Sequence, residues 1–100
     1  MSLSEITERL EQRIAAEEAL PGKIVLLDFG DDGVVRIDGT VTPAIVDNAN
    51  GAADCRVRVG MDDFIDIAKG RKSPQMAYMT GMLKIEGDMG IAMQIGKMLG

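Results

Sequence analysis

GMLKIEGDMGIAMQIGKMLG, Gly81 to Gly100, decides the fold. Met82–Glu86 carries strand formers, Gly87 breaks the pattern, and Asp88 sits where a helix N-cap belongs. The spacing predicts a strand over 82–86, a tight turn and a helix over 88–99. With Met89 at zero on a helical wheel, Gly90, Gln94 and Lys97 fall in one narrow polar strip. The remainder is an apolar or small arc of roughly 220°, where a surface helix needs only about 100°. Within it Ala92 and Gly96 form a flat strip, and Ile91, Ile95, Met98 and Leu99 form a bulky ridge. Gly90 and Gly96 each cost about 1 kcal/mol relative to alanine in a helix interior, so tertiary contacts must hold this segment. Six of the eight methionines (Met76, Met79, Met82, Met89, Met93, Met98) lie in the final quarter of the chain. An unbranched thioether suits an irregular core, a pocket of variable content or a contact with another copy or partner. The residues alone leave all three open.

Upstream, Ser2 and Glu5 have capping-box spacing, with Ser4 a competing cap, and Leu3, Ile6, Leu10 and Ile14 recur at helical intervals. A helix is expected over 2–18, ended by Pro21-Gly22. KIVLLDFG (23–30) and VVRID (34–38) flank Gly30-Asp31-Asp32-Gly33, the composition of a hairpin. Val25, Leu27 and Phe29 share one face of the first strand; Ile24 and Leu26 share the other, so it reads as an interior strand covered on both sides. A short edge strand is expected over 44–46, after Pro43, and a fourth strand where Cys55, Val57 and Val59 alternate with Arg56 and Arg58. Helices follow over 62–69, with Phe64, Ile67 and Ala68 as the stripe, and over 74–79, where Ser73-Pro74 supplies the N-cap and first position. The architecture is α+β: a five-stranded sheet covered by helices, one domain over 1–100.

Composition removes several classes of function. A net charge of −5 argues against nucleic acid, which requires clustered cations. No apolar run reaches the ~18 residues of a membrane span, and the charged start MSLSEITERLEQR does not resemble a signal peptide. There is no histidine, and Cys55 sits mid-strand with no base nearby in sequence, so no catalytic set or metal site stands out and no cofactor is expected. Asp28-Phe29-Gly30 lacks the companions of a kinase motif. Asp28, Asp31 and Asp32 miss calcium-loop spacing, with glycine at the third and twelfth places. Gly87-Asp88-Met89-Gly90 lacks the GK[ST] ending of a phosphate loop and reads as a plain βα turn. Lys69, Arg71 and Lys72 form the one basic cluster, a candidate foothold on anionic lipid headgroups.

AYMTGMLKIEGDMGIAM, Ala77 to Met93, resembles the signature of the sterol carrier protein 2 family of nonspecific lipid-transfer domains. That signature follows a short helix as G-x-L-K-(I/V)-x-G-(D/N)-M-G-(L/I)-A-M. Gly81, Leu83, Lys84, Ile85, Gly87, Asp88, Met89, Gly90, Ile91, Ala92 and Met93 all match it. GVVRIDG, Ala53-Asp54-Cys55 and DDFIDIAKGRKSPQMAY agree more weakly, in the family's order. The resemblance implies a noncatalytic carrier whose sheet and helices enclose an apolar tunnel for lipid: a fatty acid, acyl-CoA, sterol or phospholipid. It further implies a wall built from the short helix and the C-terminal helix, which in this chain are Met76, Met79, Ile91, Ile95, Met98 and Leu99, with Phe64 beside them. A competing expectation is an interaction or dimerisation module using the same methionine-rich helix. Where the family often continues KLQ, this chain has Gln94, Ile95 and Gly96, so the polar anchor at the third place is missing. The ending KMLG lacks a peroxisomal Ser-Lys-Leu, and a cytoplasmic location is expected.

Overall fold

The computed structural model describes residues 2–17, 22–41 and 43–91. Helix α1 (Leu3–Glu17) begins as its first residues dictate: the Ser2 hydroxyl accepts from the Glu5 amide at 3.2 Å and donates to the Glu5 carboxylate at 3.4 Å. Strands β1 (Ile24–Asp28) and β2 (Val34–Asp38) form the expected antiparallel hairpin. A short 3-10 turn at Gly30–Asp32 joins them, closed by the Phe29 amide donating to the Gly33 carbonyl at 2.9 Å. β3 (Ile45–Asp47) pairs antiparallel with β2. β4 (Cys55–Val59) pairs parallel with β1, and β5 (Leu83–Gly87) lies antiparallel against β4. The sheet order is β3-β2-β1-β4-β5. Helices α2 (Met61–Ala68) and α3 (Pro74–Met79) fall between β4 and β5, each within a residue of its sequence expectation.

Among the described residues, α1 and α2 pack on one face of this sheet. Val25, Leu27 and Phe29, then Val35 and Ile37, then Cys55, Val57 and Val59 form a single buried cluster with Ile6 and Leu10 of α1, Phe64 of α2, and Ile91. The Phe29 and Phe64 rings lie 5.0 Å apart at 57°, a favourable tilted pair joining the end of β1 to α2. Burying such a set, at about 25 cal/mol per Å² of apolar area, is the main force holding the helical layer to the sheet.

The second face of β1 is covered, but not by a helix. Leu26 is 0% exposed there, and its neighbours in register are Arg36 of β2 and Arg56 of β4. The Arg36 guanidinium makes two bonds to Asp47, at 3.1 and 2.8 Å, and Arg56 meets Asp28 at 2.9 Å. Arg56 also donates to the Gly51 carbonyl at 3.2 Å. To reach β4, the connection from β3 must cross β2 and β1, and that bond places the crossing on the arginine face. Leu26 therefore lies under aliphatic arginine stems and loop backbone, while the charged heads reach outward. The expected five-stranded sheet with helices packed on it is found, and among the described residues a salt-bridged loop crosses its other face.

Candidate functional site

The signature segment is assembled by backbone geometry. Ser73 caps α3 by accepting from the Met76 amide at 3.4 Å, with Pro74 at the first helical position. Thr80 and Gly81 end the helix, and the chain turns into β5, where Lys84 and Glu86 point to the arginine face. Arg58 is level with Lys84 and pairs diagonally with Glu86 at 3.2 Å. Beyond β5, the Asp88 carboxylate accepts from the amides of Gly90 at 2.9 Å and Ile91 at 3.4 Å, and residues 89–91 are helical. Asp88 is thus an N-cap. Gly87, at φ +100°, is required by its neighbours: a Cβ there would collide with the Asp54 carbonyl oxygen and sit 3.2 Å from the Cys55 Cα.

Apolar side chains are conspicuously uncovered here. Met76 is 57% and Met79 71% exposed, and Tyr78, Met82 and Met89 are exposed as well. α3 is held by Ala77, 3% exposed; Met76 and Met79, three residues apart on the helix, share a side that faces away from it. On β5 the core-facing Leu83 and Ile85 are only half-buried, although their partners Val59 and Val57 on β4 are buried. At the adjoining end of the sheet an open cleft of about 320 Å³ is lined by Phe29, Val59 and Met82, with Asp28, Arg58 and Lys84 contributing polar atoms.

The sequence-based site residues separate into three groups. Phe64 and Ile91 both belong to the helical-side core cluster. Met76 and Met79 are exposed. Ile95, Met98 and Leu99 lie outside the described residues. Tyr78, Met82 and the cleft residues Phe29, Arg58 and Lys84 were not among the site residues expected from sequence, although Met82 counts among the clustered methionines; the Met-Ala-Tyr-Met run of the short helix was the available signal for Tyr78. The basic cluster is partly neutralised. Lys72 bonds Asp63 at 2.7 Å and lies 3.6 Å from Asp66, and these partners raise its pKa, the Asp63 hydrogen bond most. Arg71 reaches Asp66 at 3.8 Å. Cys55 is buried in the core cluster. Among the described residues no cluster of carboxylates and thiol could hold a metal ion, and no helix is long and apolar enough to cross a membrane.

Known proteins with the same pattern are consistent with this geometry. The model of the SCP-2 sterol transfer family matches residues 3–100. "Non-specific lipid-transfer protein-like 1" of Caenorhabditis elegans is 28% identical over 102 residues, covering 94% of this chain and 86% of that protein. "Hydroxysteroid dehydrogenase-like protein 2" of Xenopus tropicalis is 46% identical over 48 residues; that match covers 48% of this chain but only 12% of the relative's length. Among solved structures, the solution structure of palmitated SCP2L2 from Aedes aegypti superposes with a TM-score of 0.70 at 21% identity, over 99% of this chain and 95% of that one. With the family model spanning nearly every residue, and the fold shared with its solved structures, this chain belongs to the SCP-2 sterol transfer family.

Proposed function

We propose that this chain is a noncatalytic carrier that binds and transfers lipid, taking a fatty acyl chain, acyl-CoA or sterol; a relative named for non-specific lipid transfer and a palmitated structure of the same fold support a lipid ligand. The occupant lies on the helical side of β5, against Phe64 and Ile91, with Ile95, Met98 and Leu99 completing the wall and Met76 and Met79 at its mouth. The observation that carries this reading is the thin cover over β5: Leu83 and Ile85 face the core yet are half-buried, beside a run of exposed methionines. An enclosed lipid tunnel is part of the proposal.

Methionine suits such a site energetically. A dry void destabilises by about 24 cal/mol per Å³, so an empty lipid cavity of about 300 Å³ would cost about 7 kcal/mol if nothing relaxed. That is comparable with the whole stability of a small domain. Flexible thioethers that fill the space when it is empty and withdraw when it is loaded avoid most of this cost.

The test is native mass spectrometry of gently purified protein, followed by titration with a fluorescent fatty acid. Lipid adducts that leave on mild activation, and saturable uptake, are expected. Ile95→Lys, which sets an ammonium in the wall, weakens uptake by at least about tenfold. Equal affinity in wild type and variant refutes the site. The outward position of Met76 and Met79 favours a second reading, an interaction or dimerisation surface. A dimer by light scattering that is indifferent to fatty acid would favour it.

A further inference from the structure

We propose that the outer edge of β5 pairs with the same edge of a second copy of this chain. The two strands run antiparallel about a twofold axis at Ile85, so that Lys84 of each copy meets Glu86 of the other. The first observation is the edge itself. β5 ends the sheet and is bonded on one side, to β4. The Asp88 amide donates to the Asp54 carbonyl at 3.3 Å. By the alternation of an antiparallel ladder, Glu86 and Lys84 then direct their amides and carbonyls to Arg56 and Arg58 of β4. Those of Leu83, Ile85 and Gly87 point away from β4, and among the described residues no backbone group bonds to them. Such an edge is a template for a further strand unless something blunts it, and no proline interrupts this one.

Charge is the second observation, and it selects the occupant. Lys84 and Glu86 lie on the same face of β5 and both are exposed. With Ile85 opposite Ile85, an antiparallel copy sets Lys84 against Glu86 twice, once on each side of the axis. Moving the axis to Lys84 or to Glu86 places like charges opposite each other, and so does parallel pairing in register. Charge therefore favours one register. In it the two Ile85 residues exchange backbone bonds, as do Leu83 and Gly87. Lys84 and Glu86 then fall at the position without backbone bonds, where side chains come closest. Gly87 has no side chain to obstruct Leu83 of the other copy, and Ile85, half-buried in one copy, gains a β-branched neighbour. Both charges are available. Lys84 has no ion pair among the described residues, and Glu86 meets Arg58 at 3.2 Å through two exposed side chains, a contact of little worth. An edge guarded by lysines alone would repel a copy, whereas alternating lysine and glutamate attracts one. The inference goes beyond the carrier reading and does not depend on it.

The test combines sedimentation equilibrium over a wide range of protein concentration with amide exchange followed by NMR. A contact this short buries little area, so a weak, concentration-dependent dimer is expected, loosened by salt. The Leu83 and Ile85 amides should exchange more slowly as concentration rises. The Lys84 and Glu86 amides, bonded to β4, should be protected throughout. Lys84→Glu and Glu86→Lys each turn two attractions into two repulsions and should weaken self-association by at least about tenfold. Both side chains are exposed, so the variants keep the fold. An equimolar mixture of the two single variants should restore pairing, because one chain then offers two acids and the other two bases. Exchanging both residues in one chain should restore it as well. Association indifferent to these charges overturns the proposal. So does association that Met76→Ser with Met79→Ser abolishes while the charge variants leave it intact, which assigns the contact to the methionine surface. A chain that stays monomeric at every concentration also overturns it, and a protected Ile85 amide in that monomer would mean that the chain covers its own edge.

Discussion

Replacing Gly87 by alanine should be the most damaging single methyl addition in the signature. Gly87 has φ +100°, where an L-residue costs about 1–2 kcal/mol. The new Cβ would collide with the Asp54 carbonyl oxygen, lying 3.1 Å from its carbon and 3.2 Å from the Cys55 Cα. These are backbone atoms, so no side chain can swing away to make room. Opening the contact shifts β5 from β4 by about 1 Å, an overpacking cost of about 1–3 kcal/mol. It also strains the bond from the Asp88 amide to that same Asp54 oxygen, 3.3 Å long, for about another 1 kcal/mol. The sum is about 3–6 kcal/mol, and for a domain of this size about 15–30 °C in Tm. Gly81→Ala is the control: its φ of +81° carries a similar conformational cost, but nothing lies within 4 Å of the new methyl. Urea unfolding followed by far-UV circular dichroism gives both free energies. If Gly87→Ala and Gly81→Ala cost the same within about 1 kcal/mol, the close approach of β5 to Asp54 is not what demands glycine there.

Leu26→Ala tests the closure of the second face. Because Leu26 is buried beneath Arg36, Arg56 and the β3–β4 connection, the substitution should cost about 3 kcal/mol in the same unfolding assay, whereas an open face would give less than 1. Asp47→Asn removes the bidentate partner of Arg36 and should cost about 1 kcal/mol at neutral pH. The Arg36 hydrogen bond holds the Asp47 carboxyl below its ordinary value, so this stabilisation is complete above the unfolded-state pKa, near 3.9. It is lost as pH falls through the lower folded value, so the gap between wild type and variant should close on acidification below about pH 4. A gap independent of pH would mean that Asp47 acts through packing and not charge.

What could be read without coordinates was local. Ser2, Ser73 and Asp88 cap helices because each side chain needs only an amide two or three residues away. The β1–β2 hairpin followed from alternating apolar residues around a glycine-bounded turn. The order of strands and helices, and the density of the Gly81–Met93 match, placed the chain in its family before any contact was known. Tertiary structure decided everything that depends on residues far apart in sequence. Alternation told that β1 has two apolar faces, but a period of two cannot say what covers each. Only the parallel pairing of β4 with β1 places Arg56 beside Leu26 and brings the loop across to seal it. The sequence likewise marks Gly87 as glycine without its reason, which is the Asp54 backbone, 33 residues away along the chain. Met76 and Met79 entered as pocket lining through the family resemblance, which places the short helix in the wall. Their outward orientation was set by which side of α3 could dock, and the small Ala77 took that contact.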